Sequence, residues 1–228
     1  MIVVTGANHL FKKTIKYCIR SVEKLGYEIL VYDLGNLNYG KNFFIDDYFF
    51  QNYGYYSKIA TSYFSNCLHK PKIILDALES TQKNILYIDS DAFIISKLDY
   101  VFDFEFDIAV TLRRTSEIDK EPFEDHKKIM GKINAGIIFL KNNMNTTKFV
   151  HKWISLTEKL KNDQLALNIL LTGIQINEVM NINEIKVLGL KTDEYNFYYF
   201  NEPINPSVKI LHYKNGQHKY YSKHNLVI

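Results

Sequence analysis

Asn84-Ile85-Leu86-Tyr87-Ile88-Asp89-Ser90-Asp91-Ala92-Phe93-Ile94-Ile95 is the stretch whose reading decides the fold. Four apolar residues lead into two carboxylates separated by a serine, and a second apolar run follows. A short apolar run bounded by polar residues reads as a buried strand. Side chains two apart on a strand point to the same side, so Asp89 and Asp91 are expected to converge just beyond its end. Two like charges that close repel one another unless a cation lies between them. Hard divalent ions such as Mg²⁺ and Mn²⁺ take oxygen ligands. One reading is therefore a metal site at the carboxyl end of a central strand. The other is a solvated turn, where Asp and Ser are common. The motif by itself does not separate the two.

Upstream, Ile2-Val3-Val4-Thr5 reads as a first strand and Gly6-Ala7-Asn8-His9 as a turn, with Asn8 placed to cap a helix. Phe11, Ile15, Cys18, Ile19, Val22 and Leu25 recur at helical spacing, and Gly26 ends the run. Glu28-Ile29-Leu30-Val31-Tyr32 is a second strand, stopped by Asp33-Leu34-Gly35. Strand, helix and strand in that order form a βαβ unit, which predicts parallel strands and a right-handed crossover. Between Asn36 and Asn66, turn residues alternate with aromatic pairs such as Phe43-Phe44 and Tyr55-Tyr56, which predicts short helices and a loop. Lys70-Pro71 opens a helix carrying Ile74, Leu75 and Leu78.

Downstream, Asp107 to Leu112 reads as a strand leading into Arg113-Arg114, and the polar segment 115–132 as a long loop. Asn134-Ala135-Gly136 precedes a buried strand, Ile137 to Leu140. Phe149, Val150, Trp153, Ile154 and Leu160 mark an amphipathic helix, and Asp163-Gln164 begins another. Late strands are expected at Lys186–Leu190 and Val208–His212. This alternation predicts an α/β fold with helices on both faces of a mostly parallel sheet.

At 228 residues the chain is expected to form one domain with a sizeable core. Hydrophobic residues are 46% and charged residues 23%, an ordinary globular balance that excludes wholesale disorder. The net charge of +3, without a dense basic run, argues against a nucleic-acid partner. Cys18 and Cys67 match no zinc or redox spacing and are expected to be reduced, consistent with a cytoplasmic protein. No apolar run reaches the roughly 18 residues of a membrane span, and no signal peptide is expected before Ile2-Val3-Val4. Peripheral membrane contact stays open.

Several pieces in a fixed order carry a resemblance. They are Val3-Val4-Thr5-Gly6-Ala7-Asn8, Lys70-Pro71, Leu86-Tyr87-Ile88-Asp89-Ser90-Asp91, Asn134-Ala135-Gly136-Ile137, Asp163-Gln164 with Asn168, and His212-Tyr213 with Gly216 and Lys219. Together they span nearly the whole chain, which resembles the GT-A (Rossmann-like) nucleotide-diphospho-sugar glycosyltransferases, especially glycosyltransferase family 8 and related small DxD enzymes. The resemblance implies a donor, most often a UDP-sugar, and a carbohydrate or glycoconjugate acceptor in surface glycan synthesis. It implies Mn²⁺ or Mg²⁺ held by Asp89, Asp91 and His212, with the imidazole favouring Mn²⁺. It places Thr5, Gly6 and Asn8 at the nucleoside, and Lys70 and Ser90 at the donor. Asn134, Ala135 and Gly136 would line the donor sugar, and Gly216 and Lys219 would face the phosphates. One residue more than usual separates His212 from Gly216, so Lys214 or His218 could take the place of Lys219.

The same resemblance sets Asp163 and Gln164 at the reaction centre. There Asp163 would be a general base in an inverting enzyme or would stabilise an oxocarbenium-like transition state in a retaining one. The plainer alternatives are that Asp163 caps its helix, Lys70 is solvated and Gly136 supplies backbone freedom. For Asp33, at the end of the second strand, the choice is between a contact to the base and the cap of a turn, and the cap is favoured. Arg113 and Arg114 are weaker candidates for donor or acceptor contact, and His126 and His151 are expected to be exposed. Two other functions compete: a non-catalytic nucleotide-sugar or glycan-binding module, and a haloacid-dehalogenase-like phosphatase. The phosphatase also uses Asp-x-Asp after an apolar strand, but normally on an early strand and with a later acidic pair. Glu124-Asp125 lacks the apolar strand that such a pair needs.

Overall fold

The computed structural model describes residues 1–35, 37–42, 69–119, 131–198 and 204–213. Among them the strands, in chain order, are β1 (Ile2–Ala7), β2 (Glu28–Asp33), β3 (Lys41–Asn42), β4 (Ile85–Ile88), β5 (Ala92–Ile94) and β6 (Ile108–Leu112). Then come β7 (Ile133–Leu140), β8 (Val179–Ile182), β9 (Ile185–Lys191), β10 (Phe197–Tyr198) and β11 (Ile210–His212). Eight strands form one sheet in the order β3-β2-β1-β4-β7-β6-β9-β8, and β10-β11-β5 form a second, smaller one. β1 runs parallel to β2 and β4, and β6 runs parallel to β9. β7 is antiparallel to both of its neighbours, so the sheet is largely, not wholly, parallel.

Alternate side chains of the main sheet enter different cores, as the period of two requires. Val3, Leu86 and Ile137 pack with Ile15, Cys18, Ile19 and Val22 of the Thr14–Lys24 helix. Val4, Tyr87 and Ile138 pack on the other face with three helices, Lys70–Thr81, Met144–Leu160 and Asp163–Leu170. The second sheet joins the first core through Phe93, Ile94, Phe197, Ile210 and Leu211. A sheet buried on both faces explains why its strands read as apolar runs instead of alternating ones.

Several local expectations are corrected. β1 continues through Gly6 and Ala7, and a short 3-10 turn, His9–Phe11, precedes the first helix. Lys13, not Asn8, occupies that helix's N-cap position, while the Asn8 carbonyl accepts the Phe11 N–H at 3.0 Å. Asn134 to Gly136 lies inside β7, not before it. Part of the expected 115–132 loop is the helix Thr115–Asp119. The aromatic pairs between Phe43 and Tyr56 lie outside the described residues, as do Cys67, Glu124, Asp125 and His126. Cys18 is buried with a free thiol, and burial pushes that thiol far up. No helix among the described residues is long and apolar enough to cross a membrane.

Asp33 shows how a strand end is closed here. Its Oδ1 accepts from the N–H groups of Gly35 and Leu37 at 2.9 and 3.0 Å, and its Oδ2 from Asn38 at 2.8 Å. Burial alone would raise this carboxyl; the backbone donors outweigh it and hold it below the ordinary value. Asp33 is therefore the turn cap. Asp33→Ala is expected to cost about 1–3 kcal/mol of stability. Since the folded value lies below the unfolded one near 4, this contribution is fully present above about pH 4 and is lost as pH falls through the folded value. Urea unfolding of both proteins across that range checks it: the gap between them should be constant at neutral pH and shrink under acid.

Candidate functional site

β4 stops at Ile88 and the chain turns at once. The Ala92 N–H donates to the Asp89 carbonyl at 2.9 Å, and the Asp89 N–H donates to the Gly136 carbonyl at 2.8 Å. A tight turn between β4 and β5 therefore gathers the two carboxylates, not strand alternation. β5 pairs antiparallel with β11 in a register that sets His212 opposite Ala92, and the Tyr213 N–H donates to the Asp91 carbonyl at 3.0 Å. That pairing carries an imidazole from 121 residues downstream to Asp91. His212 Nε2 lies 3.0 Å from Asp91 Oδ1 and 4.0 Å from Asp89 Oδ2. The three ligand atoms fall within 4.8 Å of one another. The imidazole is 1% exposed and the Asp89 side chain 30%, so the cluster opens to solvent on the Asp89 side.

Gly136 keeps this space clear. A Cβ at Gly136 would come within 2.7 Å of His212 Cε1, 2.8 Å of Asp89 Oδ2 and 2.8 Å of Asn134 Oδ1. The position calls for glycine because of the room, not because of a left-handed backbone. Two carboxylates and one imidazole around a cleared space are a donor set that fits Mn²⁺ or Mg²⁺.

Lys70 begins the Lys70–Thr81 helix, with Pro71 beside it in the first turn. It is not solvated: its side chain is 5% exposed, and its Nζ lies 3.2 Å from both Asp89 Oδ1 and Asp163 Oδ2. The same ammonium donates to the Ala135 carbonyl at 2.8 Å and sits 5.3 Å from the centre of the Tyr87 ring. The Tyr87 hydroxyl donates to Asp89 Oδ1 at 3.2 Å.

Asn162, not Asp163, caps the Asp163–Leu170 helix, accepting the Leu165 N–H at 2.8 Å. That leaves the Asp163 carboxylate to face Lys70, while its carbonyl accepts from Trp153 Nε1 at 2.8 Å. Burial pushes the Asp163 carboxyl above the usual carboxylate range; Lys70 pulls it back and Asp89 adds to the rise. Gln164 Oε1 accepts the Ala135 N–H at 3.3 Å. The structure thus brings Lys70, Asp89, Ala135, Asp163 and Gln164 together.

The other candidates are placed more simply. Thr5 is buried within β1 and Asn8 just beyond its end, and Ser90 is buried in the Asp89–Asp91 turn. Gly6 has a packing reason: a Cβ there would meet Ile73 Cδ1 at 2.8 Å and Leu34 Cδ1 at 3.0 Å. Arg113 is buried at the end of β6; Arg114 is exposed and pairs with Asp193. His151 is exposed. Gly216 and Lys219, with Lys214 and His218, lie outside the described residues. Sequence reasoning missed Asn196, whose Oδ1 lies 2.7 Å from His212 Nδ1. It follows a four-residue helix, Thr192–Tyr195, and a lone Asn between aromatics carries no local signal.

Over 131 residues the chain is 30% identical to the UDP-galactose:fucoside alpha-3-galactosyltransferase of Dictyostelium discoideum. The match covers 55% of this chain and 19% of that protein, so the chain spans about a fifth of its relative. The galactosyltransferase LgtC, solved with donor and acceptor sugar analogues, is similar with a TM-score of 0.57 at 16% identity, over 95% of this chain and 88% of that one. A glycosyltransferase involved in glycosylation of the major capsid of PBCV-1 gives 0.60 at 11% identity over 98% of both chains. GlyE of Streptococcus pneumoniae TIGR4 gives 0.53 at 17% identity, over 95% of this chain and 55% of that one. At such identities these likenesses establish the fold, GT-A. A sequence profile of the nucleotide-diphospho-sugar transferases matches residues 48–225, and the chain belongs to that family.

Proposed function

We propose that the chain transfers a sugar from a UDP-linked donor to a hydroxyl of a glycan or glycoconjugate acceptor, with Mn²⁺ or Mg²⁺ held by Asp89, Asp91 and His212. The observation that carries this reading is the convergence of those three ligand atoms within 4.8 Å at the carboxyl end of β4. Family membership supports a diphosphate leaving group, and the Dictyostelium relative is named for a UDP-linked donor. The phosphatase alternative loses its footing with that membership. When bound, the cation supplies positive charge against the charge that develops on the departing diphosphate.

The chain's own residues supply the rest. Lys70 holds Asp89 and Asp163 in place and adds positive charge beside the donor. Asp163 and Gln164 face the anomeric centre, where Asp163 takes the acceptor proton in an inverting reaction or stabilises positive charge in a retaining one. Asn134, Ala135 and Gly136 line the donor sugar, Thr5, Gly6 and Asn8 the nucleoside, Ser90 the donor beside the carboxylates, and Gly216 and Lys219 the phosphates.

UDP is expected to raise the melting temperature in a Mn²⁺-dependent way, and one UDP-sugar in a donor screen is expected to be hydrolysed or transferred. Asp91→Asn and His212→Ala should each weaken Mn²⁺-dependent UDP binding. Failure of both UDP and GDP to bind with Mn²⁺ present would overturn the transferase reading, and binding without turnover on any donor would favour the non-catalytic module. Gly136→Ala should weaken Mn²⁺ binding roughly tenfold or more while costing about 1–3 kcal/mol from overpacking. A metal titration beside a urea melt separates those two effects.

A further inference from the structure

The Asn196 amide is wholly buried and joins three strands. The direction of each hydrogen bond around it follows from one group that can only donate. The Gly136 N–H donates to Asn134 Oδ1 at 2.8 Å. That fixes the Asn134 amide, whose Nδ2 then donates to the Tyr198 hydroxyl at 2.6 Å. The same Asn134 Oδ1 lies 2.9 Å from the Asn196 amide, so Asn196 must present its Nδ2 there. Nδ2 also donates to Thr111 Oγ1 at 2.8 Å. Both of its hydrogens are then committed, and Asn196 Oδ1 is left facing His212 Nδ1 at 2.7 Å. An amide oxygen only accepts, so Nδ1 carries a proton, and whenever the ring is neutral its lone pair is at Nε2. Nε2 is the atom that faces Asp91 and Asp89. With the ring in that neutral form, Nε2 and the two carboxylates all face one another as acceptors, an arrangement that a cation relieves.

We propose that Asn196 is a positioning residue: its buried carbonyl oxygen holds His212 in the Nδ1–H tautomer and so aims the Nε2 lone pair at the divalent cation. The proposal rests on the metal site proposed above. Metal-binding histidines generally donate their second N–H to a fixed acceptor, and loss of that acceptor weakens metal binding about 10–100-fold. A residue that merely tied Thr111, Asn134 and His212 together would leave the tautomer alone.

The test is ¹⁵N NMR of the histidine-labelled chain in mildly alkaline buffer without metal, where a free imidazole is neutral, with His212 assigned by His212→Gln. The wild-type ring is expected to show a protonated Nδ1 and a bare Nε2. Asn196→Ala should shift His212 to a mixture or to the Nε2–H form, and Mn²⁺ binding in the presence of UDP, followed by calorimetry, should weaken about 10–100-fold. Asn196→Asp keeps an oxygen against Nδ1 and should retain the Nδ1–H tautomer, although its second oxygen, facing Asn134 Oδ1 in place of a donor, should lower stability. A neutral wild-type ring with its proton on Nε2 and none on Nδ1 would overturn the proposal. So would Asn196→Ala with an unchanged tautomer and affinity. If Asn196→Ala does not fold, Asn196→Asp decides: loss of the Nδ1–H form there rejects the role assigned to the carbonyl oxygen. A wild-type chain that takes up no Mn²⁺ with UDP would remove the metal reading and the role toward it, and that failure is distinguishable because the tautomer is read without metal.

Discussion

The Lys70 ammonium is the contact on which the site's construction depends. It reaches the Asp89 turn, the Asp163 helix start and the Ala135 carbonyl of β7 at once, from a position almost closed to solvent. Burying Asp163 without a partner would strand a charge, an error that costs several kcal/mol. The lysine at the start of its own helix thus fixes where two other elements can sit. Yet among the described residues of this cluster, one ammonium stands against three carboxyl groups, Asp89, Asp91 and Asp163. The remaining negative charge is concentrated where His212 also points, and there a divalent cation would balance it without disturbing the Lys70 bridges.

Strand direction explains why these groups meet at all. In a parallel α/β sheet, ligands bind beyond the carboxyl ends of the strands. β4 delivers Asp89 there in the ordinary way. β7 runs against β4, pairing Ile88 with Ile137, so the beginning of β7 lies beside the end of β4. Asn134, Ala135 and Gly136 reach the same edge only because of that reversal. The small second sheet does the same for the imidazole, since the antiparallel pairing of β5 with β11 sets His212 next to the aspartates.

What the sequence revealed follows from the range of the forces involved. Helices with a long apolar stripe, and strands buried on both faces, announce themselves within a few residues. The runs at Ile2, Glu28, Ile85, Ile108 and Ile185 and the helices opened by Lys70 and Asp163 were legible for that reason. Asp89, Asp91 and His212 were legible through a familiar order of motifs, although the turn that gathers the aspartates was not. β3, β5 and β10, of two or three residues, carry too few positions for a period to show. Whether Asn162 or Asp163 caps a helix is settled by which of them Lys70 draws inward, a contact across the fold. Asn196 was invisible because its partners Thr111 and Asn134 lie 85 and 62 residues away.

Gly136 and Asn196 act on the same imidazole by different physics. Gly136 contributes an absence, the missing Cβ that leaves room between His212 and Asp89. It also contributes a backbone N–H, the donor from which every hydrogen-bond direction as far as His212 Nδ1 follows. An alanine at that position keeps the N–H and removes the room, whereas a change at Asn196 keeps the room and removes the direction. Steric space and proton placement at His212 are therefore separable, even though both pass through one residue of β7. A site built this way tolerates little drift in β7, because a one-residue slip would exchange the two faces of the strand and lose both contributions together.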